Sequence, residues 1–384
     1  MEQLVTSDFK LGIIAGGQLG KMLVLAASNW DVKTYVLDTE VHCPASTCCT
    51  TFVKGNQLEY DDVIKFGAMV DMITFEIENV NIKALQKLKS EGKKIFPDPD
   101  ALAIIQDKGL QKEFYKENNI PSPQFNLFPS KSSLITAINT GEISFPFVQK
   151  LRMGGYDGKG VVIIKSATEL EKLLDGPSLV EKLVDIQKEI SVIVARNHQG
   201  EMKCFPVVEM EFNDANMVET LICPSSLDAK ITEQATKIAT DIIASFKLCG
   251  LLAVELFVDK NNVVWVNEIA PRPHNSGHHT IESTITSQYE QLLRAIFDFP
   301  LGSTQVKMPS VMINLLGEPG YEGKVKYEGL TDCMGIEGVK IHLYGKKITN
   351  PFRKMGHVTV LGNSLEEAKK KASIVKQKLK VKSW

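Results

Sequence analysis

Short apolar runs recur through the first hundred positions, separated by stretches whose apolar residues return every three or four places. LGIIA (11–15), KTYVLD (33–38), MITFE (72–76) and KKIFP (93–97) read as strands, and QLGKMLVLAASNW (18–30) as a helix. This is the βαβ rhythm of a parallel sheet. PDPD at 97–100 breaks it and marks a domain boundary. Beyond it, residues 101–144 read as helices around the turn NNIPSP.

From Phe145 the pattern becomes strand-rich. FPFVQKL and VVIIK flank a glycine-rich loop, and SLVEKLV, KEISVIVAR and MKCFPVVEME follow as strands. TEQATKIATDIIASF is an amphipathic helix with Ile231, Ala235, Ile238 and Ile242 on one side. LLAVELFV and VVWVNEIA form a strand pair around DKNN, and 279–299 reads as helical. The last part carries strands SVMINLLG, IHLYG and HVTVLG, then a helix opened by Ser364 with Glu367 three residues on, a capping box. The expected class is α/β, α+β overall.

The chain has 384 residues and a net charge of -2, which argues against nucleic-acid or anionic-membrane partners. No apolar run approaches a membrane span, and the N-terminal residues lack a signal-peptide pattern, so a cytoplasmic location is expected. Cys43, Cys48 and Cys49 cluster beside His42, but their spacing matches no standard zinc pattern; reduced structural thiols are the expectation.

Four features carry chemistry. AGGQLG (15–20) ends the first strand, with Ala15 in the first slot of a dinucleotide fingerprint and Asp38 where a ribose-binding carboxylate would sit. The same turn serves any anion at a helix N-terminus, so a nicotinamide-dependent oxidoreductase stays open at this point. Next, Glu255 and Glu268 lie on neighbouring strands. A turn centred between Lys260 and Asn261 pairs Glu255 with Val266, making Glu268 a diagonal neighbour with Cβ atoms roughly 7 Å away. Such a pair fits Mg2+ bridging to phosphate oxygens; a solvated face is the alternative. Asn267 would join them only if the strand twists or ends there.

The third feature is KLRMGGYDGKG (150–160). Gly154, Gly155, Gly158 and Gly160 exceed what a hairpin needs and suit a flap over a polyphosphate, with Lys150 supplying charge and Tyr156, Asp157 and Lys159 at the tip. Finally, APRPHNSGHH follows Glu268 and brings Arg272 and His274 toward any metal-bound phosphate.

GGYDGKG, VEKLVDIQKEIS, VELFV and VNEIAPRPHNSGH together resemble the ATP-grasp superfamily. Within it, GGQLGKM, TFEIENV, PRPHNSGH and PSVMINLLG are similar to the N5-carboxyaminoimidazole ribonucleotide synthetases of purine biosynthesis. The resemblance implies an N-terminal α/β domain (1–98), an ATP-grasp domain (99–300) and a small C-terminal domain (301–384). It implies ATP and Mg2+, with Lys108 and Lys150 on the phosphates and Gly155, Tyr156, Asp157, Gly158, Lys159 and Gly160 in the flap. Glu181, Lys182, Leu183 and Val184 would line the adenine, Glu189 would take the ribose, and Glu255 and Glu268, beside Asn267, would hold the metal.

For the substrate, 5-aminoimidazole ribonucleotide, it points to Gln18, Glu76, Tyr156 and Lys159, with Lys346 and Arg353 for its phosphate. Lys347 competes with Lys346. Bicarbonate would become carboxyphosphate, with Lys150 and Arg272 offsetting charge and Asp157 or His274 taking the amine proton. A homodimer is implied. The alternatives are another ATP-grasp ligase, such as a formate-dependent glycinamide ribonucleotide transformylase, an inactive nucleotide-binding regulator, or the oxidoreductase.

Overall fold

The computed structural model describes residues 7–155 and 160–384. Strands β1 (Lys10–Ile14), β2 (Lys33–Asp38), β3 (Thr51–Lys54), β4 (Met72–Phe75) and β5 (Lys94–Ile95) form a parallel sheet in the order β3-β2-β1-β4-β5. The chain runs outward from β1 in one direction and then the other. The crevice between the carboxyl ends of β1 and β4 is therefore a topological switch point, where ligands enter folds of this kind. Strand β3 was not foreseen. It follows the cysteine cluster and has no fully buried residue.

A second, antiparallel sheet is small: β6 (Phe125–Phe128), β7 (Phe147–Leu151), β8 (Val161–Ile164) and β9 (Ser178–Lys182), in the order β6-β9-β7-β8. The glycine loop joins β7 to β8 and is closed by the Leu151 N–H donating to Gly160 O at 2.8 Å. Tyr156, Asp157, Gly158 and Lys159 lie outside the described residues.

The remaining strands are β10 (Ile186–Arg196), β11 (Met202–Cys204), β12 (Val208–Phe212), β13 (Val218–Cys223), β14 (Gly250–Asp259), β15 (Val264–Ala270), β16 (Ser310–Leu316), β17 (Gly323–Glu328), β18 (Val339–Leu343), β19 (Ile348–Thr349), β20 (Lys354–Leu361) and β21 (Lys380–Ser383). Most join one large sheet, β15-β14-β10-β12-β13-β16-β20-β18. It runs unbroken past residue 301, because β13 pairs with β16 from Thr220↔Ile313 to Cys223↔Ser310. The expected strand MKCFPVVEME is two strands, broken around Phe205–Val207.

The helix Ala229–Ser245 buries Ile231, Ala235, Ile238, Ala239, Ile242 and Ile243 against Val192, Val194, Val254 and Leu256 of the large sheet. A second core joins the helices Gln18–Ser28 and Gln288–Ile296, with Leu19, Leu23, Leu292 and Ile296 interlocked. That packing fixes the parallel sheet to the large one. The last helix, Leu365–Lys378, is capped by Ser364, whose Oγ accepts from the Glu367 N–H at 3.2 Å. Glu367 Oε2 accepts from the Asn363 N–H instead of closing the box.

Candidate active site

The parallel sheet, the small sheet and the large sheet converge on a cavity of about 1130 Å³. One wall is the face of β10, β12 and β14 carrying Glu189, Met210, Phe212, Glu255 and Phe257, and the small sheet supplies the facing wall through Val148, Lys150 and the Glu181–Val184 segment. Gln18, Glu76 and Glu78 border it from the parallel sheet's switch point.

Glu255 and Glu268 face each other directly in the ladder rather than diagonally. The register expected from sequence is wrong by a turn and a bulge. Asp259 N–H donates to Val263 O, and Asn262 takes a left-handed conformation at φ +61°, which lengthens the turn. Then Leu256 pairs with Val266 and Glu255 with Glu268, leaving Asn267 as the extra residue. The bulge turns Asn267 into the cavity, where its Oδ1 accepts from Lys150 Nζ at 2.9 Å.

Burial, and then the charges of Glu268 and Glu189, push the Glu255 carboxyl up to about 7. Two facing oxygen-donor side chains that repel one another suit a hard divalent cation. Among the described residues no group of three or more His, Cys, Asp or Glu is arranged to hold a metal ion, so phosphate and water would complete the shell, as Mg2+ prefers.

Lys108 Nζ reaches Glu268 Oε1 at 2.6 Å. Its placement depends on Asp107, which caps the helix Lys108–Glu117 and takes a two-point contact from Arg152, at 2.8 and 2.6 Å. Lys150 pairs with Glu181 at 2.7 Å, and the buried Lys112 holds the other Glu181 oxygen at 2.6 Å. Burial opposes charge on Glu181, but Lys150 and Lys112 outweigh it and hold the carboxyl below its usual range. Lys112 and Arg152 carried no sequence signal.

His274 lies 3.5 Å from Glu255 through Nε2, while its Nδ1 meets Ser276 Oγ at 2.9 Å; Ser276 is tied to Ser191 of β10 at 2.8 Å. Burial first, then Arg272 and Lys354, drives the His274 pKa well down, so the imidazole is neutral. Arg272 forms an ion pair with Glu78 at 2.9 Å.

The opening glycine turn holds no vacant anion cradle. Gly17 and Gly20 donate their N–H groups to the two carboxylate oxygens of Glu76, and Gly16 donates to Asp38 Oδ2 at 2.7 Å. The helix N-terminus is thus already paired with the chain's own anion. Asp38 caps the turn instead of waiting for a ribose, which removes the structural basis of the oxidoreductase reading. Ala15, in the glycine slot, sits at φ +69°.

Of the expected substrate residues, Gln18 and Glu76 border the cavity with Arg272 and His274, whereas Lys346 and Arg353 are absent from its lining. Lys346 and Lys347 border a separate depression with Lys324, and Arg353 Nη1 donates to Ile348 O at 2.7 Å. Lys354, the next residue, faces the cavity in their place. It begins β20, and strand alternation there could have pointed to it.

Comparison with known proteins bears on the family and the fold. The ATP-grasp domain family matches residues 113–289, the ribonucleotide synthetase preATP-grasp domain 9–106, and the phosphoribosylaminoimidazole carboxylase C-terminal domain 310–371. The N5-carboxyaminoimidazole ribonucleotide synthase of Bacillus subtilis is 33% identical over 371 residues, covering 95% of each chain. The chain belongs to the N5-carboxyaminoimidazole ribonucleotide synthase family. It is also 35% identical to the phosphoribosylaminoimidazole carboxylase of Candida glabrata over 95% of its own length but only 65% of that protein's. The synthetase of Thermotoga maritima superposes with a TM-score of 0.90 at 43% identity, covering 98% of this chain and 100% of that one. An Aspergillus clavatus synthase, solved with ADP and 5-aminoimidazole ribonucleotide, gives 0.88 at 30% identity, over 97% and 99%. The synthase family is one of ATP-grasp ligases, and the fold is theirs: an N-terminal parallel sheet, an ATP-grasp centre and a C-terminal part.

Proposed function

We propose that the protein joins bicarbonate to the amine of 5-aminoimidazole ribonucleotide at the expense of ATP, releasing ADP and phosphate, in purine biosynthesis. The observation that carries the reading is the direct Glu255–Glu268 pair beside Lys108, Lys150 and Asn267, at the end of a cavity that also reaches Glu76 and Gln18. One end suits a triphosphate, the other a small nucleotide.

ATP lies between the small and large sheets, its adenine against Glu181–Val184 and its ribose at Glu189. Lys108 and Lys150 bind its phosphates, and Glu255 and Glu268 hold Mg2+, which supplies charge neutralisation at the transferring phosphoryl group. Bicarbonate oxygen attacks the γ-phosphorus, giving carboxyphosphate, while Arg272 and Lys150 offset the developing charge. His274 or Asp157 accepts the amine proton as the N–C bond forms. The flap that includes Gly155, Tyr156, Gly158, Lys159 and Gly160 shields carboxyphosphate from water.

Phosphate capture by Lys346 and Arg353 remains part of the proposal, with Lys354 added on its position. So do a cytoplasmic homodimer and the three-domain division at about residues 98 and 300, which rest on the family resemblance. No described helix is long and apolar enough to cross a membrane.

The test is ADP release with each substrate withheld. ATP hydrolysis should depend on both bicarbonate and 5-aminoimidazole ribonucleotide. Stronger stimulation by formate with glycinamide ribonucleotide would refute the assignment.

A further inference from the structure

Lys112 lies one turn after Lys108 on the same helix, but inside the protein: it is 2% exposed. Its Nζ donates to Pro123 O at 3.3 Å and sits over the Phe125 ring at 5.8 Å, besides the 2.6 Å contact with Glu181 Oε1. Glu181 Oε2 faces Lys150, and Lys150 also donates to Asn267. One carboxylate is therefore shared by two ammonium groups, leaving a net positive charge at the cavity wall. Only Lys150 of the two borders the cavity. A lysine serving packing alone would be poorly chosen here, because an apolar side chain fills such space without desolvating a charge.

We propose that Lys112 is a positioning residue for ATP. By holding one oxygen of Glu181, it leaves Lys150 half-held, so that Lys150 can turn to a phosphate oxygen while Glu181 stays charge-balanced. This rests on the ATP site proposed above. Without Lys112, Glu181 and Lys150 form a one-to-one pair. Drawing Lys150 onto a phosphate would then strip a buried carboxylate of its last cation, a costly exchange. ATP affinity falls although no residue that touches ATP has changed.

The experiment is calorimetric titration of the full chain with MgATP, without bicarbonate or 5-aminoimidazole ribonucleotide, alongside steady-state kinetics. Lys112→Met should weaken ATP binding by about tenfold, while the KM for 5-aminoimidazole ribonucleotide stays within about twofold. Lys112→Gln keeps a polar end without the charge; it should behave alike and replaces the first variant if that one does not fold. Glu181→Gln removes the charge that Lys112 balances, so adding Lys112→Met to it should change ATP affinity by less than about twofold. Unchanged ATP affinity in Lys112→Met and Lys112→Gln, equal losses for both substrates, or multiplicative losses in the double variant would overturn the proposal. Titration without the second substrate keeps this outcome separate from any failure of the substrate assignment.

Discussion

Gly17→Ala is a one-carbon probe of the opening turn. Gly17 has φ -69°, so alanine meets no backbone strain there. Its Cβ would lie 2.3 Å from Glu76 Oε1, however, when real contacts of this kind are essentially never under 3.0 Å. Glu76 must therefore withdraw by at least 0.7 Å, the difference between those two figures. It is 5% exposed and gives its two oxygens to the Gly17 and Gly20 N–H groups. Hydrogen bonds to charged groups contribute about 1.5–3 kcal/mol each, so losing both costs roughly 3–6 kcal/mol. At about 2.1 cal/mol/K of unfolding entropy per residue, a chain of 384 residues shifts by roughly 1.2 °C per kcal/mol, so the melting temperature should fall by roughly 4–7 °C. Differential scanning calorimetry measures this, and kinetics should show the KM for 5-aminoimidazole ribonucleotide rising more than that for ATP. Glu76→Ala removes the obstacle, so adding Gly17→Ala to it should cost less than about 1 kcal/mol. Equal losses from Gly17→Ala with and without Glu76 would refute the reasoning.

Glu268→Gln should lower Mg2+-dependent turnover by at least about a thousandfold with an unchanged circular dichroism spectrum, since it halves the proposed metal-binding pair; chelation should do the same to the unmodified protein. Arg353→Ala should raise the KM for 5-aminoimidazole ribonucleotide and leave that for ATP unchanged, and Lys354→Ala should cost more turnover than Arg353→Ala because Lys354 borders the cavity. Glu209 offers a pH test away from the chemistry. Burial opposes its charge, but Lys188 and Ser226 overcome this and hold its carboxyl at about 2. A depressed folded-state pKa gives stability that is present above the unfolded value near 4.5 and lost as pH falls toward 2. Glu209→Gln should therefore cost about 2 kcal/mol at pH 7, discounted because Lys188 is part-exposed, and clearly less at pH 3. Urea titrations at both pH values check it, and an equal loss at both would refute it.

The parallel sheet, the amphipathic helix Ala229–Ser245 and the identity of the acidic pair were legible because apolar spacing reports burial directly. What failed was whatever depends on a local irregularity. The meeting of Glu255 with Glu268 requires Asn262 in a left-handed turn and Asn267 in a bulge, and neither has a spacing signature. GGQLG looked like a phosphate cradle because the anion that fills it, Glu76, arrives from fifty-nine residues beyond Gly17. Lys112 and Arg152 look like an ordinary surface lysine and arginine in a string; only the tertiary fold turns them inward. The β13–β16 pairing was hidden because Val218–Cys223 was not recognised as a strand.

That last pairing sets how the gene product can be divided. Were the polypeptide cut near residue 305, the central piece would keep β13 with one whole side of unsatisfied amide and carbonyl groups, framed by Leu221, Ile222 and Cys223. Bare, greasy borders of this sort recruit other copies of themselves. Half-molecules made for crystallography or fusion work should clump unless the excised residues 310–361 are supplied in trans as a complementing fragment.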